Sequence, residues 1–138
     1  MRPERLALKH FQEGRDWLNS TAPKDVPNGA SRYFTGKALQ QTLDEAQWEI
    51  ENRLRYNVGG LTDNVFTSLT DEGILIFEET RAGKVVQYDE NWKPITEFQV
   101  NPLSIVYVMT FDAKAMRWKV DHTQSAVDKV TGKSLLGE

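Results

Sequence analysis

Apolar residues recur at intervals of three and four along the first half of the chain, and at intervals of two along the second. The first period belongs to helices and the second to strands. In residues 3–19, Ala7, His10, Phe11, Gly14, Trp17 and Leu18 share one helical face. Pro3 suits a first-turn position, because its missing N–H has no intrahelical partner there anyway. Residues 20–31 hold two prolines and an Asn28-Gly29 pair, which predicts a loop. Leu39, Leu43, Ala46, Ile50 and Leu54 then mark a second helix, with Gly36 as a break before it. Gly59-Gly60 is expected to end the helical half.

Alternation after that point predicts six strands, at 65–69, 74–80, 84–88, 95–100, 104–111 and 116–124. Turn residues separate them, and the links are too short for parallel crossovers, so the pairing is antiparallel. Helices followed by an antiparallel meander predict a single α+β domain over residues 1–138. In the expected architecture the N-terminal helices pack in the concave face of a strongly curved sheet of about six strands, a cone. The 125–138 tail reads as a mobile end with weak strand character around Val127 to Val130.

Composition narrows the classes of function. The 138 residues carry a formal net charge of −3 with no basic run, which speaks against nucleic acid as a partner. The absence of cysteine removes thiol nucleophiles and thiolate metal sites. With only two histidines, His10 and His122, no metal site and no cofactor is expected. No stretch is apolar enough for direct membrane insertion, so the chain as given reads as soluble. That is compatible with the cytoplasm or with an extracytoplasmic domain of an anchored protein.

The candidate chemistry is sparse. Strict alternation places Met116, Trp118, Val120 and His122 on one inward face, where an imidazole could act as a base. Asp121 then points the other way and cannot pair with His122, leaving Glu97 or Glu79 as acidic partners. Glu97 is a base or acid candidate if its strand face is inside, and a solvated surface residue if it is outside. Of Glu78 and Glu79, one must face each way. Tyr107 alternates with Ile105, Met109 and Phe111, and Tyr33 also offers a phenol. Trp118 reads as core. Trp92 sits in a turn, where it either marks a contact surface or folds back on its own hairpin. Phosphate-binding glycine loops, HExxH and GxSxG are absent.

Three features taken together carry a resemblance: an aromatic first helix, the Tyr33-Phe34-Thr35-Gly36 approach to the second, and a last hairpin with Arg117-Trp118-Lys119-Val120 just after its turn. The chain resembles the nuclear-transport-factor-two-like, or cystatin-like cone, superfamily. The resemblance implies one of two roles. The first is a non-catalytic binding or interaction module that self-associates through its sheet as a homodimer, or binds a partner protein. The face of Ser104, Val106, Val108 and Thr110 would make that contact. The alternative is a small-molecule enzyme of isomerase, dehydratase or hydrolase type, or a ligand-binding protein. Its cone pocket would hold a small apolar ligand near His122, Glu97 and Tyr107, with Tyr33 and Trp92 as further contacts. A cone filled by Trp118, Met116 and Phe98 would exclude that alternative.

Overall fold

The computed structural model describes residues 2–56, 62–81 and 83–136. Helix α1 spans Pro3–Ser20 and helix α2 spans Gly36–Asn52, with two 3-10 turns, Pro23–Asn28 and Ala30–Arg32, between them. Among the described residues seven strands follow: β1 Leu54–Arg55, β2 Thr62–Thr70, β3 Gly73–Thr80, β4 Lys84–Tyr88, β5 Pro94–Gln99, β6 Leu103–Asp112 and β7 Arg117–Asp128. The expected α+β class and the antiparallel pairing are both present. The strands divide into two sheets, however: β2-β3-β6-β7 and β1-β4-β5.

The division follows from β1. The second helix does not run on to Gly59-Gly60, which lies outside the described residues. It ends at Asn52, where Arg53 turns left-handed at φ 54° and caps the helix with its N–H on the Glu49 and Ile50 carbonyls. Leu54 and Arg55 are then extended and pair with Gln87 and Val86 of β4. That contact gathers the β4–β5 hairpin onto β1, and the main sheet closes by pairing β3 directly with β6.

Cross-strand partners share a face of a sheet, so the register assigns the described side chains of the main sheet to its two faces. One inner row reads Leu69, Ile74, Met109, Val120, and the next reads Thr67, Ile76, Tyr107, Thr123. Ile74, Ile76, Met109 and Val120 pack with Ala7 and Phe11 of α1 and Ala38 of α2 to form the main core. A second core joins Val26, Ala30 and Ala46, with Trp17, Leu18, Leu39 and Leu43 packed against it. The loop expected at 20–31 is thus part of the hydrophobic structure, because its 3-10 turns aim Val26 and Ala30 inward.

Two glycines are required by geometry. At Gly73, φ is +143° and a β-carbon would fall 2.2 Å from the Met109 carbonyl oxygen. At Gly36, φ is +52° and a β-carbon would fall 2.7 Å from Asp121 Oδ1. The Tyr33–Gly36 segment is therefore a joint between helix and sheet. Thr35 N–H donates to the Val120 carbonyl at 2.8 Å, and Val120 N–H donates to the Tyr33 carbonyl at 3.0 Å.

Strand β7 runs four residues past its predicted end, so residues 125–128, expected to belong to the tail, stay in the sheet. Beyond it the chain turns back: Asp128 N–H donates to the Lys133 carbonyl at 2.9 Å, and Val127 bridges Ser134. Within the described residues, no helix is long and apolar enough to cross a membrane.

Candidate functional site

A cleft of about 450 Å³ opens between the two helices and the inner face of the main sheet. Phe11, Leu18, Phe34, Ile105 and Val120 supply apolar wall. Arg15 and Tyr107 supply its polar floor. Met116 and Phe98, two of the three residues whose filling of the cone would exclude a pocket, do not fill it. Met116 turns left-handed at φ 53° in the β6–β7 turn and is 72% exposed, while Phe98 lies exposed in the other sheet. Trp118 is half-buried, edge-on to Phe111 with ring centroids 5.4 Å apart.

The floor is an ionic network that reaches from α1 to the sheet. Arg15 Nη2 lies 2.5 Å from Glu78 Oε1 and donates to the Tyr107 hydroxyl at 2.9 Å. The Tyr107 hydroxyl in turn donates to Glu78 Oε1 at 3.4 Å. Glu78 is 1% exposed, so its charge is held by partners rather than by water. Arg15 reaches it because it lies one helical turn after Phe11, whose ring packs on Tyr107 at 5.1 Å between centroids. The guanidinium carbon lies 5.4 Å from the Phe11 centroid and 5.9 Å from that of Tyr107. Desolvation pushes the Tyr107 phenol up to about 12. Burial pulls Arg15 down, but Tyr107 and Glu78 outweigh it and leave the guanidinium above its ordinary range. A neutral phenol between a fixed cation and a fixed anion can orient a ligand oxygen. It is not a base at neutral pH.

The other nominated residues lie elsewhere. His122 was expected on the inner face with Val120. In the register Val108 pairs with His122 and Met109 pairs with Val120, so Asp121 is an extra, unpaired residue. This β-bulge reverses the alternation and puts His122 in the outer row with Ser68, Leu75 and Val108. The same bulge corrects the expectation for Asp121. Its carboxylate does not point away from His122 but meets the imidazole, Oδ2 to Nδ1, at 2.8 Å. A second bulge at Gln124 restores the inward direction of Ala126.

Glu97 is exposed on β5 and pairs with Lys84 at 3.4 Å, the solvated-surface alternative. Glu79 faces outward and pairs with Lys129. Trp92, left-handed at φ 58°, folds back on Tyr88 with centroids 5.5 Å apart, on the sheet away from the cleft. Tyr33 does line the cleft, between the Trp17 ring at 5.3 Å and the Arg117 guanidinium at 5.1 Å. Of the five nominated residues the cleft therefore brings together Tyr33 and Tyr107, without His122, Glu97 or Trp92.

Sequence reasoning missed Arg15 and left Glu78 undecided. The available signals were Glu78 on the alternation of Ile74 and Ile76, and a cation four residues after Phe11. Among the described residues, no cluster of three histidine or acidic side chains could hold a metal ion. No protein-family model matches the chain, and no curated protein matches it.

Proposed function

We propose that the chain is a non-catalytic binding module of the nuclear-transport-factor-two-like type that self-associates through the outer face of its main sheet. The observation that carries this is a row of side chains on that face. Phe66 pairs with Phe77, Phe77 with Val106 and Val106 with Ser125. Phe66 is 62% exposed and Phe77 is 38% exposed. Adjacent exposed aromatics on a sheet face are the sort of patch that interfaces cover, and a two-fold axis lets one patch meet itself. The scattering of His122, Glu97 and Tyr107 over three surfaces supports a non-catalytic role. Sedimentation equilibrium tests the reading. A dimer should form, and Phe66→Lys with Phe77→Lys should dissociate it without unfolding the chain. A monomer at about 1 mM, where even association worth about 4 kcal/mol would show, overturns it.

The cleft favours a second reading, a protein that binds a small apolar ligand. Its size falls within the range of ligand sites, roughly 300–1,000 Å³. Thermal melts in the presence of apolar small molecules test this reading. Saturation at about a hundredfold over the dissociation constant adds about 2.7 kcal/mol of stability, and no shift with any of them removes it.

A further inference from the structure

The chain's own C-terminal segment forms part of the cleft. Leu135 and Leu136 both line it, alongside Leu103, Ile105 and Ala126. They arrive by a turn that is firmly fixed. Asp128 Oδ1 accepts from the backbone N–H groups of Val130 and Thr131, at 2.8 and 3.0 Å. Asn101 Nδ2 holds the other carboxylate oxygen at 3.0 Å. Lys129 N–H donates to the Pro102 carbonyl at 2.9 Å, and Gly132 closes the turn at φ +73°. The segment after the turn pairs along β7, where Ser134 bridges Val127 and Leu135 N–H donates to the Ala126 carbonyl at 2.8 Å.

The occupant of this place thus has a definite chemistry: extended backbone along the β7 edge, with adjacent leucines at the cleft. Edge strands present unpaired backbone groups that an added strand can satisfy, and side-chain pockets then select the sequence. Leu135 nevertheless remains 55% exposed, so the resident segment leaves much of its own apolar surface uncovered.

We propose that the β7 edge and the adjoining end of the cleft form a docking groove for an extended, leucine-bearing segment of a partner protein, and that residues 134–136 occupy it as a built-in competitor. Strand addition here uses the edge of β7 and not the outer sheet face. The proposal therefore stands or falls separately from self-association.

The test uses the full chain and a fluorescent synthetic peptide copying residues 129–136. Leu135→Ser with Leu136→Ser in the protein should loosen the resident segment and allow the peptide to bind, read by fluorescence anisotropy. The unaltered chain should bind about tenfold more weakly or less, because a tethered occupant competes at an effective concentration of order millimolar. A peptide with serine at both leucines should not bind either protein. Equal binding to both proteins, or binding to neither, overturns the proposal. A second measurement does not depend on the folding of that variant. The chain lacks cysteine, so Ser134→Cys accepts a single nitroxide label. Excess peptide should mobilise the label, and an unchanged spectrum again overturns the proposal.

Discussion

His10 Nδ1 accepts a hydrogen bond from the backbone N–H of Trp118 at 3.0 Å, tying α1 to the start of the last strand. Only an imidazole unprotonated at Nδ1 can accept, so the bond selects the neutral ring with its proton on Nε2. Burial and then the Arg117 guanidinium hold this histidine below its ordinary value, and Lys9 acts in the same direction. Glu13, which pairs with Arg117 at 2.8 Å, opposes them without compensating.

The sign of the pH dependence follows from that direction. As pH falls below about 6.5, the unfolded chain takes up a proton that the folded His10 resists. Stability is therefore full above that value and declines as pH falls towards the lowered folded value. Urea midpoints at pH 7.5 and 5.5 should differ in this direction. His10→Ala should flatten the difference and cost about 1 kcal/mol at the higher pH, the ordinary worth of one hydrogen bond. An unchanged slope in His10→Ala would show that another group sets it.

Removing one member of the buried pair under the cleft should be among the costliest substitutions. Glu78→Ala leaves the largely buried Arg15 without its carboxylate partner. Loss of about 3 kcal/mol is expected, against a far smaller effect for Glu97→Ala at the surface. Chemical denaturation of the two variants makes the comparison. Similar costs would mean that water reaches Glu78.

The alkaline titration of tyrosine absorbance should separate Tyr107 from the usual range. Its phenol, pushed up to about 12, should ionise roughly two units above the ordinary value near 10. Tyr107→Phe should remove that late step. If it removes an earlier step instead, the hydroxyl is solvated and the network at the cleft floor is open.

Gly73→Ala should destabilise the chain by more than about 1 kcal/mol, since both the backbone angle and the Met109 carbonyl forbid a β-carbon. At Gly132 the backbone is also left-handed, but a β-carbon would meet nothing within 4 Å. Gly132→Ala should therefore cost less. Thermal melts of the pair distinguish the steric contribution from the conformational one.

How far the site was readable depends on how locally each part is decided. Tyr107 could be placed inward because β6 alternates cleanly through Ile105, Met109 and Phe111. His122 could not, because a single unpaired residue at Asp121 reverses the side chains that follow it, until the second bulge at Gln124. Nothing in the run Trp118 to Thr123 marks Asp121 as the extra residue, because the bulge is defined only against Val108 and Met109 on the neighbouring strand. The position of Trp92 was legible as two alternatives, and its ring both packs on Tyr88 and stays 43% exposed.

Periods of 3.6 and 2 by themselves determined the two helices, the six longer strands, the antiparallel pairing and the inward direction of Tyr107 and Val120, since burial of apolar surface against one partner layer imposes those periods on any chain. Tertiary structure alone decided the split into two sheets, the direction of His122, the meeting of Arg15 with Glu78, and the return of Leu135 to the cleft. Each of those depends on residues far apart in sequence competing for the same hydrogen-bonding edge or the same buried volume, and no local pattern records which of them wins.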